Sequence, residues 1–493
     1  VTHLRHTISV TKKGFIDSCR RGSFSPIYRE IPYCSPAVLY PLLSGSNSFL
    51  FESVKGSEKI ARYSFIGLEP YMILRVKDGV VEIESEGRRS LSTGKPLAKL
   101  AGILEGYNQI ASPELPPFQG GAAGILSYDF VHYLERLPKT TPDDLQIPDA
   151  HFFIVDRLIA FDHRDGKAWA IVVPGLRNPG SNLSSIYDEA EEALDNICRR
   201  LNTPYNTTRV AVTPEGPVRI EPIHEMKKED YTDMVRRAKE YIAAGDIFQA
   251  NLSQRVSAFI GELNPWNLYT MLRDINPAPF AGFIDFGDYS IVSSSPERLV
   301  SVRNGIIETR PIAGTRPRGR DMAEDEAMRA ELLLNEKERA EHIMLIDLER
   351  NDLGKVSDYG SVEVDELMIT EDCSHVIHIV SNIRGKLARG RTCIDVIRAV
   401  FPGGTITGVP KVRCMEIIDE LEPVRRGPYT GSMGYIGFSG NMDLNIVIRT
   451  FVIKNGYAYV QAGAGIVADS DPEGEYHETL KKAEALLRTL ERV

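Results

Sequence analysis

Residues 445–463 hold the tightest single constraint on the fold. Asn455-Gly456 lies between two β-rich runs, 445–453 and 457–463. Asn-Gly favours the left-handed backbone of a two-residue turn, and that turn joins antiparallel strands. This part of the chain is therefore expected in an antiparallel sheet. Pairing 454 with 457 puts 449 opposite 462, so Arg449 is expected to project beside Gly463 and Gly465. A helix should follow over 472–490, with Asp471 as N-cap and Pro472 at the first helical position.

The first half reads differently. Short strand-like runs such as 71–76 and 168–173 alternate with turn residues. A helix is expected over 183–201, closed by Arg199 and Arg200, which suit the negative end of its dipole. Residues 202–222 are rich in Pro, Thr and Asn and read as a linker. Residues 228–244 form an amphipathic helical pattern. The division expected is an N-terminal region over 1–201, a linker over 202–224 and a C-terminal domain over 225–493.

Composition excludes several classes. The net charge of −10 does not suit a nucleic-acid binder, which needs a basic field. The six cysteines include no C-x-x-C pair, so neither a zinc site nor a thioredoxin-like motif is indicated, and scattered thiols suit a reduced cytoplasm. No apolar stretch follows Lys12-Lys13 as in a signal peptide. No apolar run approaches the ~18 residues of a membrane span.

Two pairs of acids carry the first chemical signal. Glu338 and Glu341, and again Glu475 and Glu478, stand three residues apart in helical sequence, so each pair shares a helix face. Either pair alone reads as a solvated face, with Lys482 a simple salt-bridge partner four residues after Glu478. Brought together, they would need a cation, and an all-oxygen donor set selects a hard one such as Mg²⁺. Gly463 and Gly465 with Arg449 alongside suit a carboxylate. The Gly-rich segment 401–411 resembles an anion cradle but lacks the spacing of a nucleotide-binding loop. His378 lies in an apolar run, where a histidine is either a hydrogen-bonded core residue or a proton-transfer group.

In order along the chain, these segments resemble the chorismate-binding enzymes: component I of anthranilate synthase, component I of aminodeoxychorismate synthase, and the isochorismate and salicylate synthases. The resemblance runs from about Ser48 to the end. It is carried by Gly245-Asp246-Ile247-Phe248-Gln249, Ser295-Pro296-Glu297-Arg298, residues 310–319, residues 338–352, the 401–411 loop, the Arg449 segment and residues 461–479. It implies an α+β fold, a large core of antiparallel sheets flanked by helices, with a smaller N-terminal region packed on it.

By position, the resemblance makes Glu341 and Glu478 the Mg²⁺ ligands, with Glu338 and Glu475 supporting through water. Tyr429, Arg449, Gly463, Gly465 and Lys482 then bind the two carboxylates of chorismate, with Gly404 in the adjoining loop. Thr405 positions the ring and His378 transfers protons. Gln249 stands where the isochorismate and salicylate enzymes carry a water-activating lysine, so amination is expected, with ammonia from a separate glutaminase partner. Ala313 stands where some aminodeoxychorismate synthases carry a nucleophilic lysine. Gly403, Thr407, Thr309-Arg310, residues 425–432 and residues 445–450 are nonetheless similar to that branch, and the favoured product is 4-amino-4-deoxychorismate, with anthranilate the alternative. Ser53, Asn276, Pro279 and Phe280 fall where the anthranilate enzymes bind a tryptophan effector.

Overall fold

The computed structural model describes residues 8–19, 24–178, 180–202, 220–372 and 376–492. The Asn455-Gly456 turn forms as the sequence predicts. Both residues have positive φ, 52° and 75°, and Lys454 faces Tyr457. The strand before it is shorter than expected. Residues 445–453 are not one strand: Met442–Asn445 and Thr450–Lys454 lie in different sheets. The chain crosses between the sheets at 446–449, and Arg449 adopts φ 52° at the end of that crossing. Arg449 therefore sits just off the sheet, before the first paired residue of its strand.

Among the described residues there are two twelve-stranded sheets, and their pairs are antiparallel. The first runs from Ile27–Ile31 through Lys167–Val172, Arg157–Asp162, Tyr63–Gly67 and Ser48–Glu52. It continues with Phe280–Asp285, Tyr289–Ser295, Thr450–Lys454, Tyr457–Ile466, Gln249–Phe259 and Ile223–His224. The second runs from Ile312–Pro317 through Val376–Lys386, Ile306–Thr309, Arg298–Arg303, Met442–Asn445 and Ser432–Gly437. It continues with Gly121–Leu126, Ala150–Val155, Met72–Lys77, Val80–Ser85 and Arg88–Thr93; the twelfth strand of each sheet lies off this path, Gly408–Val409 on Gln249–Phe259 in the first and Glu363–Asp372 on Val376–Lys386 in the second. Each sheet thus has one seam where the first half of the chain meets the second: Ser48–Glu52 against Phe280–Asp285, and Gly121–Leu126 against Ser432–Gly437.

The sheets face each other across an apolar layer. Phe49, Phe65, Ile284 and Val452 of the first meet Ala123, Phe153, Met433 and Tyr435 of the second. Helices cover the outer faces. Leu183–Asn202, Pro265–Ile275 and Pro472–Glu491 bury Leu194, Leu272 and Leu486 against the first sheet. The helix Cys393–Val400 buries Val396 and Ile397 in the core that also holds Val300 and Ile307 of the second. Being covered on both faces explains why Gln249–Phe259 is buried along nearly its whole length, so its polar residues need specific partners.

The expected helices form with small shifts at their ends: Leu183–Asn202, Lys228–Ala243 and Pro472–Glu491. Most of the expected linker falls outside the described residues; Ile223–His224 pairs as a short strand on the edge of the first sheet. Five described cysteines are free thiols, and Cys373 lies outside the described residues. No helix among the described residues is long and apolar enough to cross a membrane.

Candidate functional site

Several chain segments converge at one end of the strand pair Gln249–Phe259 and Tyr457–Ile466. In that pairing Asn251 faces Gly465 and Ser253 faces Gly463. The glycines are there because side chains already fill the space above them. A Cβ at Gly463 would lie 2.4 Å from Asn251 Oδ1 and 2.7 Å from the Tyr429 hydroxyl. A Cβ at Gly465 would lie 2.5 Å from Gln249 Nε2. Gln249, Asn251 and Tyr429 thus crowd the backbone of 463–465; Gln249 and Tyr429 are among the site residues the resemblance implies, while Asn251 is not.

The cations arrive from the sheet crossing and the last helix. Arg449 Nη1 donates to the Lys482 carbonyl at 2.7 Å, and Lys482 Nζ donates to the Gly463 carbonyl at 3.1 Å and pairs with Glu478 at 2.7 Å. Burial lowers the pKa of Arg449, partly offset by Tyr429, Glu478 and Glu297. A desolvated guanidinium resting on a neutral carbonyl is poised to take an anion, and guanidinium binds carboxylates in a two-toothed fashion.

Opposite these cations lies an acid that sequence reasoning quoted only as part of a family stretch. Glu297 is buried, and burial pushes its pKa up to about 7 despite the opposing pull of Thr405, the Ile312 N–H, Lys482 and Arg449. Thr405 lies close enough to pull the Glu297 pKa down as a donor, yet by distance and angle Thr405 Oγ1 and Glu297 Oε1 each lack a well-formed hydrogen bond. Gln249 Oε1 and Asn251 Oδ1 are likewise buried and unpartnered. Buried polar atoms are almost always bonded in a finished structure, so this concentration at one site marks a place for a polar ligand. Behind Glu297, Glu349 accepts from Thr309 Oγ1 at 2.7 Å and is itself pushed up to about 8, by burial and then by Glu297. An acid that holds its proton near neutral pH, facing cations, is equipped to protonate a leaving oxygen.

His378 sits on the strand Val376–Lys386, opposite Thr315. Its Nδ1 is 3.0 Å from Thr315 Oγ1 and 3.2 Å from the Gly314 carbonyl. The carbonyl can only accept, which assigns the proton to Nδ1 and leaves Nε2 basic. Burial lowers its pKa, so the ring is neutral at physiological pH. Gly404 leaves room for Leu348, whose Cδ2 lies 2.4 Å from where a Cβ would stand.

The two glutamate pairs are helical, as expected. Asn335 caps the first helix, Glu336–Gly354, by accepting from Glu338 N at 3.0 Å, and Asp471 caps the second by accepting from Gly474 N at 2.8 Å. Glu338 accepts from Arg316 Nη1 at 3.3 Å and Glu475 from Ser470 Oγ at 2.6 Å, while Glu341 is half-buried on the same helix as Glu338. The first helix packs on Ile312–Pro317, Val376–Lys386 and Cys393–Val400; the second packs on Tyr457–Ile466, Lys228–Ala243 and Pro265–Ile275. Among the described residues no group of three or more His, Cys, Asp or Glu gathers as a metal cluster. Carboxylate oxygens are the donors that a hard cation such as Mg²⁺ takes, and one or two suffice beside waters and a substrate anion, but the expected gathering of both pairs into one four-carboxylate pocket does not form among the described residues.

A pocket open to solvent, about 500 Å³ with its open mouth included, lies where Ser48–Glu52 meets Phe280–Asp285. Ser53, Pro279 and Phe280 line it with Phe51, Tyr63 and Tyr435. Ser53 Oγ donates to the Pro279 carbonyl at 3.1 Å. Asn276 is not among the lining residues; its Nδ2 donates to Ser294 Oγ at 3.0 Å.

Comparison with known proteins agrees with this geometry. The family model described as chorismate binding enzyme matches residues 47–488. The chain belongs to the chorismate-binding enzymes. Within that family it is 46% identical over 90% of its length to anthranilate synthase component 1 of Acetivibrio thermocellus, covering 90% of that protein. It is 42% identical over 94% of its length to aminodeoxychorismate synthase component 1 of Bacillus subtilis, covering 97% of that protein. The crystal structure of anthranilate synthase component I from Streptococcus pneumoniae superposes with a TM-score of 0.78 at 36% identity, covering 92% of this chain and 98% of that one.

Proposed function

We propose that this chain converts chorismate and ammonia to 4-amino-4-deoxychorismate and water, with ammonia supplied by a separate glutaminase subunit. The observation that carries the reading is Glu297: a buried acid with an unpartnered oxygen, across from Arg449 and Lys482. Arg449, Lys482, the Tyr429 hydroxyl and the backbone of 463–465 hold the two carboxylates. Thr405 and Gln249 border the ring. The ammonia nitrogen bonds ring C4 as the C4–O bond breaks, and Glu297 gives its proton to the departing hydroxyl, which leaves as water. His378 Nε2 takes up the proton released by the ammonium nitrogen. The enolpyruvyl ether is retained. Mg²⁺ on Glu341 and Glu478, with Glu338 and Glu475 through water, would neutralise and orient the ring carboxylate. Holding both reactants in a desolvated pocket supplies much of the rate.

The 403–407 loop supports the choice of product. Thr407 Oγ1 donates to the Gly403 carbonyl at 2.8 Å, and a Cβ at Gly403 would stand 3.2 Å from both Ile446 Cδ1 and Leu299 Cδ1. A methyl at 403 would meet the ends of two side chains closely, and Gly403 and Thr407 are the residues that resemble the aminodeoxychorismate branch. The 46% identity to an anthranilate synthase component favours a second reading, release of anthranilate and pyruvate. The purified chain incubated with chorismate, Mg²⁺ and ammonium at alkaline pH separates them. An aminated product that keeps its enolpyruvyl group bears the proposal out; fluorescent anthranilate with one equivalent of pyruvate refutes it.

A further inference from the structure

Next to the substrate pocket, and outside it, lies a fully buried ion pair that none of the steps above uses. Glu422 and Arg426 stand one helical turn apart in sequence and are 4% and 2% exposed. Arg426 Nε and Nη2 donate to the two oxygens of Glu422 at 2.9 and 2.7 Å. The guanidinium spends its remaining donors on three separate segments. Nη2 reaches the Asn251 carbonyl at 2.6 Å, and Nη1 reaches the Ile406 carbonyl at 2.9 Å and Thr430 Oγ1 at 3.2 Å. It also lies over two aromatic rings, Tyr128 at 4.9 Å and Tyr429 at 5.5 Å. Glu422 is held in turn by Ser253, whose N–H and hydroxyl donate to it at 2.9 and 2.7 Å, and Gln461 Nε2 donates to that hydroxyl at 2.8 Å.

Each partner of Arg426 adjoins a group that faces the substrate. Ile406 follows Thr405. Asn251 carries the unpartnered Oδ1 that crowds Gly463. Tyr429 carries the hydroxyl beside the same glycine. We infer that Arg426, with Glu422 as its counter-ion, is the positioning residue that fixes Thr405, Asn251 and Tyr429 in one register and so shapes the pocket for the substrate carboxylates. This rests on the reading of the pocket given above. A buried ion pair by itself adds little stability, because desolvation offsets attraction. Here the geometry serves a different end: a flat, five-donor cation joins three carbonyl or hydroxyl acceptors and two rings at once. Lysine has neither the fork nor the flat face to do so. Among the described residues Tyr128 contributes from the first half of the chain, which ties the pocket to the seam between halves.

The test measures chorismate consumption with ammonium, and thermal unfolding, for Arg426→Lys, Glu422→Gln and the milder Ser253→Ala. Direct binding of chorismate without ammonium is titrated for each. Folded variants are expected to raise both KM and Kd for chorismate by ~10-fold or more for Arg426→Lys, as for a lost charged hydrogen bond. The KM for ammonium and the kcat should stay within a few-fold of the parent. Folded variants with the parent's chorismate Kd, differing only in unfolding temperature, overturn the positioning role. So does a set in which all three variants fail to fold, which would mark the network as structural. A parent that turns over chorismate while the variants bind it normally refutes this role alone; a parent that neither binds nor consumes chorismate refutes the functional reading beneath it.

Discussion

Glu297→Gln separates the chemical role of the buried acid from its packing. Glutamine has the shape of the protonated acid but no proton to give. If Glu297 protonates the departing hydroxyl, kcat for chorismate consumption falls by ~10²–10⁴, the range for a lost general acid, while KM for chorismate changes little. The same residue makes a stability prediction of known sign. Its pKa rises from the ordinary 4.5 to about 7 in the folded protein, so the native state keeps a proton that the unfolded chain releases. The stability tied to that proton is complete below 4.5 and is lost as pH climbs to about 7. Such a shift corresponds to ~3 kcal/mol, most of it the cost of an anion in a dry pocket. Glutamine escapes that cost. At pH 5 the parent and the variant should unfold within a degree or so of each other; by pH 8 the variant should unfold a few degrees higher, in keeping with the stability at stake. Calorimetry at the two pH values, beside steady-state turnover at fixed unprotonated ammonia, reads both effects. Unchanged kcat would remove Glu297 from the chemistry. An unfolding difference that ignores pH would show that the carboxyl is not a suppressed acid, and the proton-donor argument would fall with it.

Other substitutions address the rest of the site. Gly463→Ala forces a methyl to within 2.4 Å of Asn251 Oδ1 and 2.7 Å of the Tyr429 hydroxyl; overpacking of ~1–3 kcal/mol should appear as a ~10-fold higher KM for chorismate in titrations of turnover. Arg449→Ala removes a desolvated carboxylate partner, and ~2–5 kcal/mol of binding should go with it, measured as chorismate affinity by calorimetry. Glu341→Gln and Glu478→Gln should each raise the Mg²⁺ concentration for half-maximal turnover by ~10-fold or more, and parental Mg²⁺ dependence in both would end their assignment as ligands. Saturating L-tryptophan should leave turnover unchanged, since the seam cavity lacks Asn276 from its lining; strong inhibition would argue for the anthranilate reading.

Much of this was legible in the sequence wherever the signal is local. Asn455-Gly456 specified its hairpin because two backbone conformations sufficed, and Asp471-Pro472 specified the start of the last helix by supplying an acceptor and a preset φ. Arg449 was located near Gly463, although the register argument assumed a continuous strand. The actual path switches sheets at 446–449, and no local pattern encodes that, because the strands on either side of the crossing are both largely buried and the run reads equally well as strand throughout. Glu297 stands within Ser-Pro-Glu-Arg, but its role depends on burial and on the groups that face it, Ile312, Thr405 and Lys482, which lie up to 185 residues away in sequence and meet only in the fold. Asn251 and Arg426 were missed for the same reason. Their importance lies in partners brought from four segments, and a polar residue inside a buried strand or turn shows nothing of its partners in one dimension.

The seams have a consequence for how the chain is made. Ser48–Glu52 and Gly121–Leu126 emerge early in synthesis, yet their outer partners are Phe280–Asp285 and Ser432–Gly437. Until those later strands appear, the nascent first half carries two apolar β-edges with unmatched backbone groups, an invitation to pair with the wrong strand or another chain. Contacts of such long sequence separation also slow folding. Expression of the first half alone should therefore yield aggregates, and chaperone occupancy on the nascent chain should persist until the strand at 432–437 has cleared the ribosome.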